Sequence, residues 1–273
     1  MPGQLCIAGE GPDWMLGCTR FAPLSSHHVR VGAAHRTSGA LDISFGRSSI
    51  GDKRLAWPLV DPGRARSLST RYVAASVAAA SRPLIFREGL AIRVAGALPM
   101  NGGSSSSAAP CVASFRLDGL ELVEFDIDCG DGASLIAYSH EVSRFRDQHA
   151  ILEHRWRARD SSLFRYLNRT REICGYLLSG TIDARRLGMA LSLSRASVRT
   201  DLGIENPVID HYVSVAVDCG AFGAKSAGAR PTGGVMFAIC PNGSVEAVVE
   251  AISRLGAVVG VARLATTSQV APL

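Results

Sequence analysis

Between residues 90 and 115 the chain changes character twice. Leu90–Ala97 reads LAIRVAGA and alternates like a strand. Residues 99–109 read Pro-Met-Asn-Gly-Gly-Ser-Ser-Ser-Ser-Ala-Ala, and Ser105–Phe115 opens with the spacing of a helix. A strand that passes through glycines and serines into a helix gathers unpaired backbone N–H groups at the positive end of the helix dipole. Such a cradle suits an anion, phosphate above all. The residues that would line it are Asn101, Gly102, Gly103, Ser104, Ser105, Ser106 and Ser107. A flexible Gly/Ser tether is the alternative for this stretch taken alone. No Gly-x-x-x-x-Gly-Lys-Ser/Thr occurs, so this is not the common P-loop. Gly9-Glu10-Gly11 and Gly130-Asp131-Gly132 each lack the third glycine of a dinucleotide fingerprint.

With 273 residues the chain can form one large domain or two intimate lobes. Although 47% of its residues are hydrophobic, no apolar run approaches the ~20 residues of a membrane span, and Met1–Cys6 lacks the features of a signal peptide. No membrane partner is expected. The seven cysteines are scattered without a Cys-x-x-Cys pair, which points to free thiols in a reduced, cytoplasmic protein. Neither they nor the seven histidines cluster at zinc-ligand spacing. The net charge of +5 suits a phosphorylated ligand, but the basic residues form no run and no aromatic interleaving, so no nucleic-acid partner is expected. Almost all the positive charge is arginine. Lys53 and Lys225 are the two lysines, which makes Lys225 conspicuous in its glycine-rich setting.

Along the rest of the chain, Leu5–Ala8 reads as a strand entering a turn with Glu10, Asp13 and Trp14. Residues 29–60 read as strands and loops, and Arg66–Ala80 as a helix. A further helix is expected over 133–145, then others over Ser161–Leu178, Ile182–Val198 and Pro207–Val217. Gly220–Gly234 is glycine-rich. Val235–Cys240, Val245–Leu255 and Val258–Leu264 read as strand, helix and strand, a unit that suggests a sheet with helices on one face.

Three segments in this order resemble motifs of the GHMP small-molecule kinases, the family of galactokinase, homoserine kinase, mevalonate kinase and phosphomevalonate kinase. Pro2-Gly3-Gln4-Leu5-Cys6-Ile7-Ala8-Gly9-Glu10-Gly11-Pro12-Asp13-Trp14 is similar to the N-terminal motif of the sugar-kinase branch. The stretch 99–109 resembles the family's central Gly/Ser motif. Gly220-Ala221-Phe222-Gly223-Ala224-Lys225-Ser226-Ala227-Gly228, continuing to Gly233-Gly234, is similar to its C-terminal glycine motif. Arg71-Tyr72-Val73, Tyr166-Leu167-Asn168-Arg169 and Leu202-Gly203-Ile204 also read like the family, so the resemblance covers most of the chain.

The resemblance implies an α+β, two-lobed GHMP-kinase-like fold: mixed sheets packed with helices and a C-terminal ferredoxin-like βαβ unit. Residues 1–150 would form an N-terminal lobe with the phosphate hinge and acceptor site, and residues 151–273 a C-terminal lobe with the glycine motif. It implies ATP and Mg²⁺ as cofactors and a small-molecule sugar as substrate, phosphorylated on a hydroxyl, the anomeric one in the branch that the first motif resembles. A homodimer is compatible with this reading.

Asp147, in Arg146-Asp147-Gln148-His149-Ala150, matches the segment whose Asp lies beside the acceptor hydroxyl. An exposed, salt-bridged Asp in a polar loop is the alternative. Ser107 and Glu141 are the metal candidates, since oxygen donors suit a hard cation. Glu10 and Asp13 offer paired acceptors for vicinal sugar hydroxyls, with Trp14 to pack on the sugar face. Lys225 and Gly228 would join the nucleotide site through the second glycine loop.

Departures from the family pattern are Gln4 for Arg, Gly11 for His, Ser104 for Leu, Ala227 for Thr, and Arg230-Pro231 among the last glycines. The second lobe is shortened between Asp147 and Tyr166. These departures motivate a second expectation, a catalytically inactive relative that binds sugar or nucleotide as a sensor or partner protein.

Overall fold

The computed structural model describes residues 2–9, 20–37, 40–45, 53–56, 73–74, 89–96, 127–128, 130, 132–139, 145–179, 181–227 and 234–262. These residues fall into two compact units. The first holds β3 (Ala40–Phe45), β4 (Lys53–Ala56), β5 (Gly89–Gly96) and the second half of β2 (Arg20–Arg36). β5 pairs antiparallel with β2 and parallel with β3, and β4 closes antiparallel on β3, in a sheet ordered β1-β2-β5-β3-β4 with β1 spanning Pro2–Ala8. The alternation that marks these strands in the sequence becomes an inward face of Leu41, Ile43, Phe45, Ile92 and Val94, all buried. Asp42 faces Arg54 across the β3–β4 ladder and pairs with it at 3.5 Å.

The second unit is built on a four-stranded antiparallel sheet in the order β11-β7-β10-β9: β11 is Val258–Ala262, β7 Gly132–Tyr138, β10 Val235–Pro241 and β9 Gly223–Ala227. The connection from β10 through a helix to β11 skips one place, leaving β7 between them. This is the split βαβ arrangement of a ferredoxin-like unit, as expected. A short parallel pair joins β6 (Ile127–Asp128) to β8 (Ile182–Asp183).

Five helices belong to this unit among the described residues: α1 (Phe145–Arg157), α2 (Ser161–Leu178), α3 (Ala184–Leu202), α4 (Pro207–Asp218) and α5 (Val245–Arg254). Three of their starts are written in side chains. The Asp160 carboxylate accepts from the amides of Ser162 and Leu163, the Asp183 carboxylate from Arg186, and the Asn206 amide oxygen from Ile209, with Pro207 opening α4. Gly203, at φ 65°, ends α3 in the left-handed conformation.

The sheet is covered on both sides, which corrects the expectation of helices on one face. Leu135 and Ala137 of β7 and Met236, Ala238 and Cys240 of β10 pack against Ile209, Tyr212, Val213 and Ala216 of α4 and Val248 and Ile252 of α5. On the opposite side α3 lies directly on the sheet. A Cβ at Gly188 would fall 2.6 Å from Phe222 Cβ and 2.9 Å from the Gly223 nitrogen, and one at Gly132 would fall 2.3 Å from Ala184 Cβ. Glycine is what lets helix and strand backbones meet there.

Three further expectations change. Residues 132–138 are a strand, not the start of a helix over 133–145. The run Ser134–Ala137 is buried throughout because β7 is central, with β10 and β11 on its flanks and cover on both faces, and such a run carries no period. Ile182 and Asp183 belong to β8 and its cap, so α3 begins at Ala184. Gly223–Ala227, read as part of a glycine loop, is a strand paired with β10. Of the expected helix over 66–80, Val73 and Ala74 are described, and both are helical and buried.

Candidate active site

The C-terminal glycine motif carries its lysine on β9. Lys225 pairs in register with Phe237 and points to the α3 side of the sheet, since Gly223, two residues earlier, meets α3 there. Its side chain is 1% exposed. The ammonium donates to the backbone carbonyls of Cys6 at 3.1 Å and Ile7 at 3.4 Å, on β1. An amine taken out of water favours its neutral form, so burial pulls the Lys225 pKa down to about 8, and the Cys6 thiol opposes the fall.

β1 is thus fastened close to its end. Cys6 and Ile7 carry the two carbonyls, the Cys6 thiol donates to the Ala8 carbonyl at 3.3 Å, and Gly9 follows at φ 86°. In sequence the next residue is Glu10, the first of the sugar-recognition candidates.

Tyr166 of α2 stands beside this corner, 1% exposed and in the field of Cys6 and Cys174. Burial raises its phenol well above the ordinary range, while a hydrogen bond with Thr170 works against the rise. Cys219 and Cys240 are free thiols. Burial pushes Cys240 up to about 12, so it remains a thiol at neutral pH.

Elsewhere in the same unit, Arg155 of α1 clasps three helices. Its guanidinium donates to the Asp160 carboxylate at 2.8 Å, to the Ser162 hydroxyl at 2.7 Å, and to the carbonyls of Asp201 and Leu202 at 3.0 and 2.8 Å. The Ser162 hydroxyl, then Arg155, holds the Asp160 carboxyl well below the usual carboxylate range. Nearby, the buried Asp201 takes Arg169 at 3.0 Å, Arg165 at 3.5 Å and the Ser197 hydroxyl at 3.0 Å.

Asp147 lies in the first turn of α1, so it stands in a helix and not in a polar loop. Asn101, Gly102, Gly103, Ser104, Ser105, Ser106, Ser107, Glu10, Asp13, Trp14, Glu141 and Gly228 lie outside the described residues. Among the described residues no group of three His, Cys, Asp or Glu side chains converges as a metal site, and no helix is long and apolar enough to cross a membrane.

No family model matches the chain, and none of the curated proteins matches it by sequence. Solved structures do. Galactokinase of Lactococcus lactis, crystallised with galactose, superposes with a TM-score of 0.75 at 16% identity, over 98% of this chain and 94% of that one. The Methanococcus jannaschii mevalonate kinase gives 0.74 at 12% identity, over 97% and 96%. Phosphomevalonate kinase of Streptococcus pneumoniae, in complex with phosphomevalonate and AMPPNP, gives 0.69 at 13% identity, over 97% and 98%. The chain has the GHMP-kinase fold.

Within this GHMP-kinase fold, two features were not legible as such. The tie from Lys225 to β1 joins the first and third motifs, which are about as far apart in sequence as the chain allows. The signal that existed was a single lysine set among Gly, Ala and Ser. The Arg155 clasp had a weaker signal, an Asp-Ser-Ser cap at 160–162 just after a basic helix end.

Proposed function

We propose that this chain is an ATP-dependent kinase that phosphorylates a hydroxyl of a small sugar, with the anomeric hydroxyl as acceptor. The observation that supports it is the GHMP-kinase fold over nearly the whole chain, combined with three sequence motifs in the family's order. Galactokinase among the structural neighbours, crystallised with galactose, and the first motif's likeness to the sugar-kinase branch favour a sugar over an isoprenoid or amino-alcohol acceptor.

Phosphoryl transfer asks a protein for position and charge rather than covalent chemistry. In this reading the backbone N–H groups and hydroxyls of Asn101 to Ser107 hold the nucleotide phosphates. Glu10 and Asp13 accept hydrogen bonds from sugar hydroxyls, and Trp14 packs against the ring. Asp147 orients the acceptor hydroxyl and takes its proton. Ser107 and Glu141 present hydroxyl and carboxylate oxygens, the donor set that Mg²⁺ prefers. When bound, the ion supplies charge neutralisation at the phosphates.

The experiment is an ADP-release panel over free sugars with ATP and Mg²⁺, run beside a thermal-shift screen. Turnover with one sugar class is expected. Asp147→Ala should lower kcat by roughly 10²–10⁴-fold, the usual worth of a positioned base, with nucleotide binding retained. Sugar or nucleotide binding without turnover across the panel would support the inactive sensor instead, and unchanged turnover in Asp147→Ala removes that residue from the mechanism.

A further inference from the structure

The Lys225 ammonium and the end of β1 meet inside one compact unit, and their meeting gives the third motif a task that its glycines do not suggest. An ammonium in a buried position, aimed at two consecutive main-chain carbonyls, is a fastener: it holds one strand end at one height above the sheet. The strand so held is the one whose continuation, from Glu10 to Trp14, carries the sugar-recognition residues of the proposed function. We infer that Lys225 is a positioning residue for the acceptor, holding β1 so that the segment beginning at Glu10 is presented correctly, and that it does not itself take the nucleotide phosphates. This deepens the proposed function and rests on it.

Three observations carry the assignment. Lys225 sits at the middle of β9, paired with Phe237 and 1% exposed, so its position is set by the sheet. Its ammonium donates to successive carbonyls, Cys6 and Ile7, which fixes β1 in rotation as well as in height. After them comes Gly9, at φ 86°, a conformation that glycine adopts without strain, and in sequence Glu10 is next.

The test uses the full chain and Lys225→Met, which keeps the length of the side chain and removes the donor. Amide hydrogen exchange is followed in a peptide ending at Gly9, with a peptide over β10, residues 235–241, as internal reference. Exchange in the β1 peptide should quicken by about tenfold, the loss expected for a hydrogen bond worth ~1.4 kcal/mol, while the β10 peptide stays as in the wild type. Equal exchange in β1, or an increase shared by β10, overturns the assignment. This readout needs no sugar, so it stands whether or not the kinase reading survives.

With the sugar that the ADP-release panel identifies, Lys225→Met should raise KM for the acceptor about tenfold and leave KM for ATP and kcat within about twofold. A rise in KM for ATP of the same size, or a fall in kcat alone, places Lys225 at the nucleotide instead. Absence of turnover in the wild type with every sugar sinks the proposed function and leaves the exchange result to decide the role of Lys225 at β1.

Discussion

At the scale of single residues, burial sets the cost of the Lys225 charge, and that cost can be read in solution. Its pKa is 10.5 in an open chain and about 8 when folded. Below pH 8 both states hold the proton and the folded protein carries the full desolvation penalty. Between about 8 and 10.5 the unfolded state binds more protons than the folded one, so stability rises with pH across that window. At 1.36 kcal/mol per unit the rise amounts to roughly 3 kcal/mol. Lys225→Met has no such group, and the loss of the hydrogen bonds to Cys6 and Ile7 costs the same at every pH. The stability difference, wild type minus variant, should therefore grow by roughly this amount from pH 7 to 10.5 in urea titrations. Parallel curves would show that the ammonium is not paying a burial penalty. Asp160 works with the opposite sign: a carboxyl held down by Ser162 and Arg155 lends stability at neutral pH, lost as the pH falls below the ordinary carboxylate range.

Among the elements, the contact of α3 with β9 is decided by the absence of side chains. Ala is a better helix former than Gly by ~1 kcal/mol, so Gly188→Ala in the second turn of α3 would be stabilising on propensity alone. The added Cβ would lie 2.7 Å from the Phe222 carbonyl carbon and 2.9 Å from the Gly223 nitrogen, both main-chain atoms that cannot rotate away. Overpacking of this kind costs about 1–3 kcal/mol or more, so the variant should melt lower than wild type. Gly175, in α2, makes the paired control: a Cβ there meets nothing within 4 Å. Gly175→Ala should gain up to ~1 kcal/mol and melt higher. Both changes can be read in one thermal-denaturation series, and a rise for both would show that α3 does not press on the sheet as described.

The same helices show what could be read in advance. α2 was legible to its ends because Asp160 caps it and its buried positions Leu163, Tyr166, Leu167, Thr170, Ile173, Cys174 and Leu177 keep helical spacing. α4 was legible because Asn206-Pro207 announces its start. β7 was not, since a strand covered on both faces loses its alternation, and Ser134–Ala137 carries no period of either kind. β9 was hidden by its own composition. Its glycine serves the approach of α3 and its lysine reaches across to β1, so the residues that spell a loop locally are explained only by contacts distant in sequence.

For the molecule as a whole, the order of the three motifs was enough to fix the fold, although the structural neighbours share only 12–16% of their residues with this chain. Fold tolerates such divergence because it rests on patterns of burial, whereas activity rests on a few side chains, and a fold by itself hosts many activities. The division of labour proposed here can be tested across the whole chain by linkage. A ligand that binds the folded state alone stabilises it by RT ln(1 + [L]/Kd), about 2.7 kcal/mol at a hundredfold excess over Kd. For a protein of this size that is a rise of roughly 5–10 °C in melting temperature. ATP with Mg²⁺ should give a rise of that order in the wild type, in Asp147→Ala and in Lys225→Met, because neither residue is assigned to the nucleotide. The sugar identified by turnover should shift the wild type but shift Lys225→Met less at the same concentration. A nucleotide shift lost in Lys225→Met would return that lysine to the phosphate site, and one lost in Asp147→Ala would mean that the residue holds the nucleotide rather than the acceptor.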